Sequence, residues 1–352
     1  MNIKSLLIGS AAAFAAVSGA QAADAIVAAE PEPMEYVRVC DAFGTGFFYI
    51  PGTETCLKIG GFVRFQTGFQ RDEVAALGLG YGNGNITHSD WDSFTRAHID
   101  FDARNDTELG TLRSVIALEA NSDNETSAGG FGVDEAYIEL GGFKVGYFKG
   151  WWDSDINGET DTAGNVTRFN SIAYNYDGGT WRAGISLDEI ENPGIFLIRK
   201  ASHNNLGVAG TVGFSVGGVS LDILGGYDSA VEEGAVRAIL SADLGPGTLQ
   251  VLGVWASDPN SYWAESEWSV AAAYSFKATE KLTITPAAQY FGDLSTGVAF
   301  GNNDAWRVGL TVGYEIVSGL NFLGTVDYNK VDLAAGGNAD FTRGFLRLQR
   351  NF

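Results

Sequence analysis

The stretch Trp306-Arg307-Val308-Gly309-Leu310-Thr311-Val312-Gly313-Tyr314-Glu315-Ile316 decides the fold. Trp306, Val308, Leu310, Val312, Tyr314 and Ile316 fall on one side of an extended chain, with Arg307, Thr311 and Glu315 on the other. That is period two, the mark of a strand with one apolar and one polar face. The pattern recurs upstream. Leu57, Ile59, Val63, Phe65 and Phe69 alternate with Lys58, Arg64 and Gln66. Ala97, Ile99, Phe101 and Ala103 alternate with Arg96, His98, Asp100, Asp102 and Arg104.

Two architectures accept such strands. A secreted soluble β-sandwich, for example a lectin, keeps the polar face outside. A membrane barrel keeps the apolar face outside and a polar lumen. Three features favour the barrel. First, tight joints at 105–107, 141–142, 177–179, 217–218, 245–247, 278–280 and 317–319 alternate with longer connections. The longer ones lie near 71–91, 121–130, 149–169, 190–205, 228–233, 258–265, 294–303 and 331–340. Short turns on one side and long loops on the other are the outer-membrane pattern. Together they join sixteen antiparallel strands. Second, aromatics gather near strand ends on the apolar face: Phe69, Phe94, Phe143, Trp181, Tyr227, Trp255, Trp268, Tyr290, Trp306 and Tyr328. Aromatic girdles sit at membrane interfaces. Third, the chain closes on an amphipathic strand with a terminal Phe352, the kind of signal read by outer-membrane assembly machinery through strand pairing.

The N-terminus supports export. Lys4 precedes an apolar run from about Leu6 to Val17, and Ala20-Gln21-Ala22 is a cleavage site before Ala23, so residues 1–22 read as a signal peptide. No later apolar run is long enough for a spanning helix. The chain carries 22 Lys+Arg against 43 Asp+Glu. So acidic a protein is a poor partner for nucleic acid. Residues 23–56 read as a periplasmic lead-in containing Cys40 and Cys56, and 57–352 as the barrel. An even cysteine count in an exported chain predicts a Cys40–Cys56 disulfide; two free thiols are the alternative.

The segment from Tyr36-Val37-Arg38-Val39-Cys40 through Thr55-Cys56-Leu57-Lys58-Ile59-Gly60-Gly61-Phe62-Val63-Arg64 closely resembles the start of the alphaproteobacterial, rhizobial-type major porins. So do Ala23-Asp24-Ala25 and the ending Gly344-Phe345-Leu346-Arg347-Leu348-Gln349-Arg350-Asn351-Phe352. The resemblance implies a homotrimer of sixteen-stranded barrels in outer-membrane lipid and lipopolysaccharide, each with its own passive channel for ions and small hydrophilic solutes. A substrate-selective channel, for example for sugars, is the alternative. Some relatives similar at Ala-Asp-Ala attach that amine to peptidoglycan, which makes Ala23 and Asp24 a candidate tether; an ordinary spacer is the plainer reading.

A sixteen-stranded barrel is wide enough for water, so selectivity needs a constriction. The third long connection, 149–169, carries Asp153, Asp155, Glu159 and Asp161. Folded inward, it would set those carboxylates against lumen-side Arg64, Arg96, Arg113, Lys144, Arg182, Arg343 and Arg347. Opposed rows of charge make a transverse field. The alternative is an exposed acidic surface loop. Trp151 and Trp152 are read as anchors rather than a sugar slide. Asp153-x-Asp155-x-Asn157-Gly158 opens like a calcium loop, but its twelfth position is Gly164, not a bidentate Glu. Loose calcium binding by acidic loops is the one cofactor chemistry allowed, and no metal ligand set is read. Three histidines, with Ser89-Asp90 beside His88, do not make a catalytic triad, so no enzyme is expected. The small residues Gly207-Val208-Ala209-Gly210-Thr211 suggest an interface strand.

Overall fold

The computed structural model describes residues 38–71, 90–122, 130–190, 204–297 and 299–352. The leader 1–22, Ala23 and Asp24 with most of the lead-in, His88 and His203 lie outside the described residues.

A two-residue strand, β1 (Phe48–Tyr49), pairs with the foot of β2 (Cys56–Arg71). The barrel continues through β3 (Asp90–Thr107), β4 (Gly110–Ser122), β5 (Gly132–Leu140), β6 (Phe143–Lys149), β7 (Arg168–Asp177), β8 (Trp181–Ile190) and β9 (Asn205–Val216). Then come β10 (Val219–Asp228), β11 (Glu233–Leu244), β12 (Gly247–Ala256), β13 (Ser266–Lys277), β14 (Leu282–Leu294), β15 (Asp304–Val317), β16 (Leu320–Asp332) and β17 (Asn338–Asn351). Every neighbour pair is antiparallel. β17 pairs with β2, Thr342 opposite Arg71, so the sixteen strands β2–β17 close and leave no sheet edge.

Both ends of the described chain meet at the short-turn rim. Cys40 and Cys56 form a disulfide. The Phe352 N–H donates to the Gly61 carbonyl at 3.1 Å, and the Gly61 N–H donates back at 3.2 Å. The Gly217 and Gly218 turn has positive φ at both residues, the geometry that matches strand twist in a two-residue hairpin. The expected joint at 105–107 slips: β3 runs on to Thr107, which pairs with Gly110, and the Asn105 amide instead donates to Glu54 O and Thr55 Oγ1. The connection after Asp228 is also tighter than a long loop, because Asp228 pairs directly with Glu233.

The apolar face points outward. Val308, Leu310, Tyr314 and Ile316 are exposed, as are Val212, Phe214, Val216 and Ile223. Exposed Tyr227, Trp255, Trp268 and Tyr290 gather near the long-loop ends of their strands, and Phe143, Trp181, Phe214 and Tyr314 near the short-turn ends. Phe94 departs from the expected outer girdle. It shares parity with Arg96, whose guanidinium lies 5.5 Å from its ring centroid, and Trp91 is the exposed aromatic of β3.

The lumen is not uniformly polar. Leu224, Ile239, Leu252, Val254, Ala271, Ala273 and Phe291 face inward and are buried. Two connections cover them. One is residues 150–167; the other is residues 257–265, whose Asn260, Ser261, Tyr262 and Trp263 are buried. The Tyr262 hydroxyl donates to Asp188 at 2.7 Å, and Asp228 accepts from the Ser261 N–H and hydroxyl. A Cβ on Gly207 or Gly226 would collide with the Tyr262 side chain. The small residues at 207 and 209 therefore seat an inner strap. They are not evidence for an interface.

Candidate functional site

The loop between β6 and β7 lies on the inner wall of β11–β15. Arg237 of β11 donates to the backbone carbonyls of Trp151 (2.9 Å), Trp152 (3.3 Å) and Ala163. Arg307 of β15 donates to Thr160 O at 2.6 Å. Gln289 of β14 makes a paired contact, accepting from Thr162 N–H and donating to Thr162 O, both at 2.7 Å. Gln250 accepts from Asn157 N–H, and Thr311 from Glu159 N–H. The returning arm joins the second strap: Asn165 and Val166 N–H donate to Tyr262 O and Ser261 O. Two glycines permit the close fit. A Cβ on Gly309 would collide with the Thr160 side chain, and Gly158 (φ +97°) lies against Thr285 and Thr311.

The four acidic residues of the loop separate. Glu159 reaches Arg347 of β17 at 3.0 Å. Asp153 pairs with Lys149 at 3.2 Å, at the base of the loop. Asp155 and Asp161 do not join that contact: Asp155 is exposed on a cavity lined also by Arg182 and Arg237, and Asp161 is half-buried. Burial pushes the Asp155 carboxyl up to about 6 against the opposing pull of Arg237. Burial, with Asp155 nearby, pushes Asp161 up to about 7, although Ile156 N–H donates to it.

The opposite wall is β17, β2 and β3. Arg64 and Arg96 are direct cross-strand partners. Arg64 lies within charge–charge range of Arg347, Arg96 and Glu159. Three Phe-x-Arg steps support these cations: Arg64 over Phe62 at 4.7 Å, Arg96 over Phe94 at 5.5 Å, and Arg347 over Phe345 at 4.5 Å. Each guanidinium also donates to an amide oxygen, of Gln349, Asn121 and Gln66 respectively. Ring faces and amides position all three cations; Arg96 also pairs with Glu119 at 3.2 Å and Arg347 with Glu159, while Arg64 is held by ring and amide contacts.

The structure does not bring the other expected cations to this group. Arg113, on the next strand β4, is held by Asp102 and Glu139 near the short-turn rim. Lys144 lies over the Tyr137 and Phe148 rings beside Glu139. Arg182 pairs with Asp222 at the start of β8, and Arg343 with Asp327. Neutralised in place, these four contribute little to a field across the opening. Arg237 and Arg307 are functional residues that the sequence reading did not single out: they face the lumen like the other cations, but they hold the loop through its backbone carbonyls.

Residues 24–343 match the family described as "Porin subfamily". The chain belongs to the porin family. Across its whole length this porin is 56% identical to "Putative outer membrane protein y4fJ" of Sinorhizobium fredii, covering 99% of that protein. It is 34% identical to "Porin Omp2b" of Brucella neotomae, with both chains covered in full. In fold it is similar to the outer membrane channel DcaP of Acinetobacter baumannii, with a TM-score of 0.68 at 15% identity over 86% of this chain and 99% of that one. The porin is thus a passive outer-membrane channel, a closed barrel that crosses the membrane with its strands.

Proposed function

We propose that this porin is a general diffusion channel for ions and small hydrophilic solutes, sorted by a transverse field at one constriction. The observation that carries this reading is Glu159 on the inward loop facing Arg347, with Arg64 and Arg96 beside it. Such a field favours solutes that carry charge or a dipole over apolar ones of equal size. No covalent chemistry is needed for passage.

A homotrimer suits the outer surface. The seven residues of β6, rising about 3.3 Å each and tilted about 40°, reach roughly 18 Å. That is short of an apolar band of about 25 Å. Exposed Ile138, Phe143, Val145, Ile172, Tyr174 and Trp181 cover this low wall, which a neighbouring copy would cover better than lipid.

A sugar-selective channel has one observation in its favour. Trp151 lines a cavity of about 400 Å³ with Asn175, Asp155, Arg182 and Gln250, groups able to stack on and hydrogen-bond a saccharide. Liposome swelling separates the two readings. Uptake of neutral sugars that falls smoothly with size, regardless of stereochemistry, supports general diffusion. One sugar entering out of size order, and blocking ion current, supports the selective reading. Sedimentation of the detergent-extracted protein tests the trimer.

A further inference from the structure

His98, Glu119 and Asp134 stand together on the lumen wall, on β3, β4 and β5, beside Arg96. Their ligand atoms all lie within 4.8 Å of one another. His98 Nδ1 is 3.8 Å from Glu119 Oε2 and 4.0 Å from Asp134 Oδ2. Those distances are too long for hydrogen bonds, and Nδ1 is buried with no partner.

The surroundings are arranged around that unpartnered nitrogen. Arg96 Nε sits 3.2 Å from Glu119 Oε1, and Arg168 Nη2 sits 2.8 Å from Asp134 Oδ1. In each carboxylate one oxygen is held by arginine and the other is turned to Nδ1. On the far side of the ring, Nε2 lies 3.4 Å from Asp100 Oδ1. The ring stacks on Phe62, 4.8 Å away and 4° from parallel. With the proton on Nε2, facing Asp100, the Nδ1 lone pair points at two carboxylate oxygens. In that tautomer a cation between the three atoms would be bound by all of them.

The backbone adds a second observation. The β4–β5 ladder breaks between Ala117 and Leu118, where Ala117 pairs with Glu135 and Leu118 with Val133. Asp134 is the extra residue. A bulge of this kind re-aims a side chain, and here it turns Asp134 into the lumen beside His98. In an unbroken strand Asp134 and Glu135 would face opposite ways.

We infer that His98, Glu119 and Asp134 form a binding station for a divalent transition-metal ion such as Zn²⁺ or Cu²⁺ on the channel wall. The chemistry fits an imidazole nitrogen with two carboxylate oxygens, the rest of the coordination shell being open to lumen water. A tetrahedral zinc ion holds its ligand atoms about 3.3 Å apart. The observed 3.8 and 4.0 Å therefore need only a slight closing of two side chains. Asp100 orients the ring from behind, as carboxylates do for metal-bound histidines. The oxygen-only preference of Mg²⁺ and Ca²⁺ leaves them poor occupants. Arg168 is the first residue after the inward loop, and Asp134 holds it. A bound dication adds positive charge beside Arg96 and next to the anchor of that loop, so occupancy reports in the current.

The test uses the full-length folded protein in detergent, stripped with EDTA. The chain has three histidines, so Cu²⁺ electron paramagnetic resonance should show hyperfine splitting from one imidazole nitrogen. In planar bilayers, Zn²⁺ should lower single-channel current reversibly on EDTA addition, and equimolar Mg²⁺ should not. His98→Gln should weaken Zn²⁺ binding by at least about tenfold in equilibrium dialysis and remove the single-nitrogen signal. Asp134→Asn tests the same site independently and decides the matter if the first variant does not fold. The paired His88→Gln and His203→Gln variant should keep both effects. Zn²⁺ affinity unchanged in both site variants, loss of the effects in the paired control instead, or a folded wild-type protein that retains no Zn²⁺ would each overturn the assignment.

Discussion

Arg307 Nη1 lies 2.6 Å from the carbonyl oxygen of Thr160, so a buried cation of the barrel wall holds the backbone of the inward loop. Together with Arg237 it fixes where the loop can stand. Arg307→Ala should remove charge-assisted hydrogen bonds worth about 3 kcal/mol and leave loop carbonyls unsatisfied. The expected result is a lower unfolding temperature and noisier open-channel current. Single-channel recording beside thermal unfolding checks both, and a quiet channel of wild-type stability would contradict the anchoring role.

Glu159 is the loop carboxylate that meets the arginine wall. Glu159→Gln leaves Arg64, Arg96 and Arg347 in place, so the opening becomes more positive. The cation-to-anion permeability ratio should fall, on the order of twofold. Reversal potentials under a KCl gradient measure it. Asp153→Asn, paired at the base of the loop, should change that ratio much less.

Acidification has a predictable sign. Asp155 and Asp161 are raised from the ordinary carboxylate value to about 6 and about 7, by burial first. Their neutral forms are therefore favoured in the folded loop. The stabilisation from this preference is full below the ordinary carboxylate value and is lost as pH rises through 6 to 7. Lowering pH from 8 to 5 should quiet the loop while weakening cation preference. Current noise and reversal potential, recorded across that range, should both change with midpoints near 6 to 7. Asp161→Asn should flatten the upper part of each profile.

The Cys40–Cys56 bridge spans 16 positions. In the chain-entropy account a loop of that length contributes about 3 kcal/mol. Reduction, or the Cys40→Ser/Cys56→Ser pair, should lower the temperature at which the β-sheet circular dichroism signal is lost. An unchanged temperature would mean the foot of β2 is held without it.

Tyr262 joins the second strap to Asp188. Tyr262→Phe removes one buried hydrogen bond, worth about 1–2 kcal/mol with its carboxylate acceptor. Trp263→Ala removes a fully buried ring and should cost about 3–5 kcal/mol. Denaturant midpoints in detergent should rank the two in that order.

The barrel was legible because lipid makes one demand of every strand. Val308, Leu310 and Tyr314 must be apolar whatever lies inside, so period two survives along the sequence. The interior makes no such uniform demand. Leu252 and Val254 face the lumen yet are buried under the straps, which appear in the sequence only as connections rich in Ser, Asn and aromatics. Arg237 and Arg307 share parity with every other lumen cation, and what marks them out, their grip on carbonyls of the loop backbone, leaves no trace in side-chain chemistry. Asp134 escapes a parity count because one inserted residue reverses the faces. The Phe62-x-Arg64, Phe94-x-Arg96 and Phe345-x-Arg347 steps were visible, but their adjacency appears only when β17 closes on β2.

Excision of residues 153–161 with a short glycine bridge, followed by single-channel conductance in planar bilayers, tests most directly whether the anchored loop narrows the channel. The account predicts a folded barrel with a clearly larger conductance and a weakened ion preference. A folded barrel whose conductance and selectivity match the intact protein would contradict it.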